Sequence, residues 1–139
     1  MKLRKFYKLY DMTFPDEDVD LGLISQNAAA IAAAAATAAA KKAKTAVTLA
    51  AAATAIAKTS DFMVVTGDVG GNTVATITGG EEGDELTLLF VDTDVTITDT
   101  DAHTADTVDL SAAFTSADDT MLKLKYDGTS WYEVSRSVN

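Results

Sequence analysis

The segment MLKLKYDGTSWYEVS, residues 121–135, carries the clearest structural signal in the sequence. Leu122, Leu124 and Tyr126 alternate with two lysines, which is the period of a β-strand that buries one face. The Asp-Gly pair that follows is typical of a tight hairpin turn, and the run beginning at Trp131 has the composition of a return strand. The segment therefore predicts an antiparallel β-hairpin.

Strand signals extend from this hairpin back to residue 59. Residues 59–139 hold 15 of the 20 threonines and seven of the eight glycines. Threonine favours strands and glycine marks turns. The predicted strands are 62–66, 73–78, 86–91, 95–98, 107–110, 121–126 and 131–135. Short strands at this spacing predict an all-β domain.

The third predicted strand is apolar on both faces. Leu86, Leu88 and Phe90 point to one side, whereas Leu89 and Val91 point to the other. A strand of this kind has to be covered twice. In a domain of this size, a second copy of the chain would supply the second cover most simply, so the strand favours an oligomer.

The sequence ahead of the β-domain is rich in alanine. Residues 28–57 contain 19 alanines in 30 positions, and no glycine or proline occurs between residues 23 and 58. Because alanine is the best helix former, residues 23–58 are predicted to form one helix of roughly 50 Å. Lys41, Lys42 and Lys44 interrupt the run, which argues against a transmembrane helix.

Apolar residues follow the 3-4 spacing of a coiled coil along this helix, with larger side chains at both ends, small ones in the middle and an interruption at Lys42. The positions assigned to the core of a helix bundle are Ile24, Ile31, Ala38, Leu49 and Ile56. Small side chains between them would let helices approach closely, so we expect copies of the chain to associate through the helix. The alternative is a single alanine-rich helix that packs against a neighbour.

The first 22 residues combine positive charge with aromatic bulk. Residues 1–10 carry four basic and no acidic side chains, and residues 11–22 carry five acids. Because the segment is too short to bury its own rings, it is predicted to anchor the chain to a partner with an acidic surface. The anchor residues are Lys2, Arg4, Lys5, Phe6, Tyr7, Lys8, Tyr10 and Phe14. The alternative is that the segment folds back onto the C-terminal domain.

Charge and cysteine content exclude several classes of function. The net charge is −10, and residues 59–139 carry 16 acids against three basic residues, which disfavours duplex nucleic acid as a partner. The sequence has no cysteine, which excludes a disulfide scaffold, a cysteine zinc site and a cysteine nucleophile. No apolar signal segment follows the basic start, so we expect the chain to be made and kept in a cytoplasm.

Candidate catalytic and ligand-binding residues are few. His103 lies in an acidic loop without a nucleophile motif. The acids at 92–94 and at 99–101 offer oxygen ligands for calcium, but they lack the rest of an EF-hand loop and also suit turns. Trp131 and Tyr132 could stack on a sugar, although strand aromatics are more often core. We therefore expect no catalytic residue, no metal and no cofactor.

Four features of residues 79–139 stand out together. They are Gly83 ahead of the Leu86 strand, the strand at 95–97, the sequence DDT at 118–120 and the ending YDG…WYE…RS at 126–137. With these features the region resembles a segment of bacteriophage fibre proteins and other virion surface proteins. The resemblance implies an intertwined trimeric β-structure and a structural role in a virion. The short stretch ahead of the region favours a projection fixed on a capsid over a long tail fibre.

These expectations combine into one architecture. It is an α+β chain with an anchor at 1–22, an alanine-rich helix at 23–58 that forms a coiled bundle and an all-β domain at 59–139, in an intertwined homotrimer. The expected function is that of a non-enzymatic capsid-decoration or head-fibre protein on the virion surface, assembled in the host cytoplasm and bound to the major capsid protein or another virion protein. The alternative is a tail-fibre or receptor-binding tip that recognises a host surface glycan. Neither nucleic acid nor a membrane is an expected partner.

Overall fold

The computed structural model describes residues 17–137, with side chains from residue 25 onward. Within this range the chain is mainly β with a single helix. A boundary between Ala38 and Ala39 separates two compact units. Most of the helix therefore belongs to the first unit, while its last turn belongs to the second, which we call the β-unit.

Helix α1 spans Glu17–Lys42, a length of 26 residues or about 39 Å. Its side chains from residue 25 to residue 40 are all exposed. Alanine favours the helix without any burial, and Lys41 and Lys42 in the last turn stabilise the negative end of the helix dipole. No helix in the described part of the chain is long and apolar enough to cross a membrane.

The prediction that the helix continues to residue 58 is wrong. Strands β1 (Lys44–Thr48) and β2 (Ala55–Ala57) lie in the second half of the alanine-rich run. Leu49 is 6% exposed and Ile56 is fully buried in the core of the β-unit, so neither belongs to a helical seam. Strand pairing and the burial of these two side chains outweigh the helix propensity of the alanines around them.

The other strands follow the predicted pattern closely. They are β3 (Phe62–Thr66), β4 (Asn72–Val74), β5 (Thr76–Thr78), β6 (Glu85–Phe90), β7 (Val95–Ile97), β8 (Val108–Asp109), β9 (Phe114–Thr115), β10 (Thr120–Tyr126) and β11 (Trp131–Ser137). Each of the seven predicted strand regions is confirmed, with the second divided into β4 and β5. Strands β1, β2 and β9 were not predicted from the sequence pattern.

Three sheets contribute to the core of the β-unit. The largest has the order β1-β3-β6-β10-β11-β8, while β2 pairs with β5 and the third sheet has the order β4-β7-β9. Strands β1, β3 and β6 run parallel, as do β2 with β5 and β4 with β7. The chain thus winds through the sheets in successive coils, in a solenoid-like arrangement. The predicted hairpin of β10 and β11 adds to β6 with antiparallel pairing.

Apolar side chains from all three sheets form one core. Trp131 is fully buried, and its indole Nε1 donates a hydrogen bond to the carbonyl oxygen of Ile77 at 2.8 Å. The rings of Trp131 and Tyr126 lie 4.7 Å apart between centroids. Within the described residues, every buried side-chain nitrogen and oxygen atom has a hydrogen-bond partner, so the β-unit is internally satisfied.

Strand β6 has two apolar faces, as predicted. Leu86, Leu88 and Phe90 are fully buried, whereas Leu89 is half-buried and Val91, just after the strand, is 38% exposed. One face of the strand therefore lies in the core, and the other lies on the outside of the largest sheet.

Candidate functional site

The predicted anchor lies outside the described residues. It comprises Lys2, Arg4, Lys5, Phe6, Tyr7, Lys8, Tyr10 and Phe14. The predicted bundle positions are divided between the two units. Ile31 is 69% exposed on α1 and Ala38 is exposed as well, whereas the side chain of Ile24 lies outside the described residues. Leu49 and Ile56 pack in the β-core instead of on a helix, which corrects their assignment.

A network of five charged side chains lies at the C-terminal end of α1. The Lys58 ammonium, only 4% exposed, lies 2.9 Å from Asp61 Oδ1 and 3.0 Å from Asp84 Oδ2. Lys41 Nζ contacts Glu81 and lies 3.3 Å from Asp84 Oδ1. Burial raises the pKa of Asp84. The hydrogen bonds from the backbone N–H of Glu81 and from the ammonium groups of Lys58 and Lys41 lower it by more than burial raises it, so the pKa lies below its usual value. The network fastens the last helical turn to the β-unit.

Three carboxylates converge near β8. Asp99, Asp101 and Asp109 each place an oxygen within 4.8 Å of the other two, and such hard oxygen ligands suit a divalent cation. Asp99 Oδ1 also accepts a hydrogen bond from the backbone N–H of Leu110 at 2.9 Å. The sequence pattern singles out the first two acids, whereas Asp109 joins them only through the topology of the fold.

The other acidic pair singled out by the sequence shapes a turn. Asp92 Oδ2 accepts the N–H of Gly67 at 2.6 Å, and its Oδ1 accepts the N–H of Asp94 at 3.0 Å. Both carboxylate oxygens of Asp92 are thus used by the backbone, as is common for aspartate in turns.

A shallow depression of about 430 Å³ lies beside β8 and β11. It is lined by Asp109, Leu110, Ser111, Tyr132, Glu133 and Val134. At its edge, Tyr132 Oη lies 2.8 Å from His103 Nδ1, and this nitrogen is 3.7 Å from Asp127 Oδ2. Burial raises the pKa of Tyr132, and the carboxylates of Asp127 and Asp109 raise it further. Among the residues that the structure describes, His103 thus contacts a phenol and a carboxylate, and no serine hydroxyl lies within hydrogen-bond distance of it.

An ion pair within this depression holds a loop onto β11. Arg136 bonds to Glu133 and donates to the carbonyl oxygen of Ala112 at 2.8 Å, while Glu133 Oε2 accepts the N–H of Ser111 at 2.9 Å. The guanidinium carbon lies 5.5 Å from the centre of the Phe114 ring. The hydrogen bond from Arg136 lowers the pKa of Glu133 to about 2. Glu133 is therefore an anion at neutral pH, where its pairing with Arg136 holds the loop in place.

The two aromatic candidates for sugar stacking have different positions. Trp131 is fully buried, so its ring faces no solvent, and the core interpretation applies to it. Tyr132 is half-buried and lines the depression. The alternation of side chains along β11 places one ring inside and the other outside.

Comparison of the chain with protein-family models, with curated proteins and with solved structures gave no match.

Proposed function

We propose that the protein is a non-enzymatic virion structural protein, a short trimeric capsid-decoration or head-fibre protein whose N-terminal segment anchors it to the capsid. The observation that carries this proposal is the order of two elements along the chain. A helix with exposed side chains is followed by a β-unit whose buried polar side-chain atoms all have hydrogen-bond partners. The side chains of α1 are exposed from residue 25 to residue 40, while every buried polar side-chain atom of the described residues is satisfied.

The helix supports association with other chains. A helix with exposed side chains gains no stability from burial of apolar surface, whereas most helical stability in proteins comes from tertiary packing. Packing against the same helix of other copies would bury its methyl groups at close range. The resemblance of residues 79–139 to trimeric fibre segments supplies the number of copies in this proposal.

The distribution of charge supports docking through the N-terminus. Residues 1–10 carry four basic residues and no acid, whereas residues 59–139 carry 16 acids and three basic residues. Three anchors held together act as one avid contact even when each is weak. The acidic β-units keep neighbouring trimers apart on the particle and in solution.

The charged groups of the β-unit support a role without catalysis. Its lysine-carboxylate network and its arginine-glutamate pair are engaged with each other, and His103 bonds to Tyr132. These groups stabilise loops and strand ends, which supports a structural role for them.

Cosedimentation with capsid shells of the parent virus tests the proposal. We expect the full chain to bind and a variant that lacks residues 1–22 to stay in the supernatant. Replacement of Phe6, Tyr7 and Tyr10 with alanine should weaken binding, whereas Val69→Ala, at a β-unit residue that is 94% exposed, should not. A full chain that does not cosediment would overturn the proposal, and binding without residues 1–22 would overturn the anchor.

A receptor-binding tip is the second candidate, because an aromatic ring lines the depression beside β11. Tyr132 lies there next to Asp109 and Ser111, and a half-buried ring with polar neighbours is suited to a sugar. Glycan binding by the full chain that is lost in Tyr132→Ala and kept in Val69→Ala, away from the depression, would favour this candidate. Capsid binding without glycan binding would favour decoration.

A further inference from the structure

The largest sheet has an apolar band on the side that faces away from the core, which we call the outer face. Met63, Leu88 and Leu122 point inward and are fully buried, so the residues that alternate with them point outward. The strand registers align these outward residues in one row across four strands. The row consists of Ala46 on β1, Val64 on β3, Leu89 on β6 and Met121 on β10.

The band is partly open to solvent. Met121 is 40% exposed and Val91 is 38% exposed, while Val64 and Leu89 are half-buried by their neighbours on the sheet. A depression of about 210 Å³ adjoins Met121 on the side of β11, where Thr87, Lys123 and Ser135 border it. Contiguous apolar surface of this kind, rimmed by polar residues, marks sites of protein association.

The charge of the outer face is opposite to that of the rest of the β-unit. On the four strands that carry the band, alternation places Lys44, Lys123 and Lys125 on this face together with one acid, Glu85, and Asp109 lies on the same face at the opposite edge strand, β8. Glu85 lies 3.0 Å from the Lys123 ammonium and 3.7 Å from that of Lys125. By contrast, residues 59–139 as a whole carry 16 acids and three basic residues. The outer face is therefore complementary in charge to the remaining surface of the same chain.

The chain order brings this face close to the helix along the sequence. Helix α1 ends at Lys42, and β1, one of the two edge strands of the largest sheet, begins at Lys44. Copies of the chain that associate through α1 would therefore hold their β1 strands within a short distance of one another. An apolar band beginning at that strand is placed to be covered by a neighbouring copy.

We propose that the outer face is the surface on which a second copy of this chain docks, with its apolar band against the neighbour and its lysines against the acidic loops of that neighbour. The inference rests on the proposed homotrimer for the number of copies. Because the outer face meets a different surface of the next copy, the contact is head-to-tail and closes as a ring.

Cysteine labelling of the full chain tests this contact directly, since the sequence has no cysteine. Met121→Cys places one thiol in the band, and Val69→Cys places one in a loop at a side chain that is 94% exposed. Diluting the protein until it dissociates should speed labelling of the first thiol by about tenfold and leave the second unchanged. Equal rates for the first thiol in oligomer and monomer would overturn the inference.

A charge placed in the band gives the second measurement. Leu89→Lys should raise by about tenfold the protein concentration at which the oligomer dissociates, because association through α1 is retained, while Val69→Lys should leave this concentration unchanged. Trp131 fluorescence reports whether each variant is folded, and the labelling experiment decides if Leu89→Lys is not. An unchanged dissociation concentration for folded Leu89→Lys, or a full chain that is monomeric at every concentration, would overturn the inference. Capsid cosedimentation is a separate readout, so failure of the proposed function is distinguishable from failure of this contact.

Discussion

Gly80 lies against the two aromatic rings at the start of the return strand. A Cβ atom at this position would be 2.7 Å from Trp131 Cζ2 and 2.9 Å from Tyr126 Cδ1. The indole cannot move aside, because it is fully buried and its Nε1 is bonded to the carbonyl oxygen of Ile77. Only the absence of a side chain at residue 80 permits this packing.

We therefore expect Gly80→Ala to lower the free energy of unfolding by about 1–3 kcal/mol through overpacking. Gly70→Ala is the matched control, because the nearest atom to its new methyl group is a carboxylate oxygen of Asp68 at 3.0 Å, the movable end of a flexible side chain. Urea unfolding followed by tryptophan fluorescence measures both. Equal midpoints for the two variants would contradict the packing argument.

The pairing of Glu133 with Arg136 makes stability depend on pH. The pKa of Glu133 is about 2 in the folded chain against 4.5 when unperturbed. The folded pKa is depressed, so the stabilisation is complete above about pH 5 and is lost as pH falls toward 2. This difference in the pKa of Glu133 corresponds to about 3 kcal/mol in the free energy of unfolding at neutral pH, and the side chain is only 13% exposed.

Glu133→Gln should accordingly destabilise the protein at pH 7 and flatten the decline in thermal midpoint between pH 5 and pH 2. Glu82→Gln, at an exposed position, should retain the wild-type slope. Thermal unfolding followed by circular dichroism across this range provides the comparison. Parallel slopes for wild type and Glu133→Gln would contradict the assignment.

At the scale of elements, the alanine-rich run contains two structures with one composition. Residues up to Lys42 form α1, and residues from Lys44 form β1. The 3-4 spacing continues past this point because alanine fits a helical seam as well as a strand. The difference lies in Leu49 and Ile56, which are buried in the β-core, and in pairing partners that are remote in sequence. Local propensity contains no information about either.

Alanine substitution at two isoleucines separates the two structures. Ile56→Ala should cost the β-unit about 2–5 kcal/mol, because it leaves a cavity at a fully buried position. Ile31→Ala, at a side chain that is 69% exposed on α1, should change the stability of the β-unit by less than about 0.5 kcal/mol. Denaturant unfolding monitored at Trp131 measures both. Similar losses at the two positions would support a continuous helix.

An element could be predicted from the sequence where neighbouring residues alone specify it. The hairpin was predictable because alternation and the Asp-Gly turn specify it locally, and the structure pairs Tyr126 with Trp131 as expected. β9 was not, since its two residues, Phe114 and Thr115, make no pattern. Of the carboxylate cluster, Asp109 was missed because only the fold brings it to Asp99. The anchor stays a prediction.

For the whole molecule, the boundary between the two units changes where the chain should be divided. The β-unit begins at residue 39, and its first residues hold Lys41, whose ammonium bonds to Glu81 and Asp84. The domain boundary suggested by composition, at residue 59, removes this ion pair. It also removes β1 and β2, which pair with β3 and β5.

Fragments that begin at these two boundaries should differ in stability. Residues 39–139 should unfold cooperatively, because the core and its charged network stay intact. Residues 59–139 should lose tertiary order, because Ile56 is missing from the core and the parallel partners of β3 and β5 are gone. Near-ultraviolet circular dichroism of Trp131 and amide hydrogen exchange report the outcome. If the fragment 59–139 were as stable as 39–139, strands β1 and β2 would contribute nothing to the stability of the β-core. They would then serve only to connect α1 to that core.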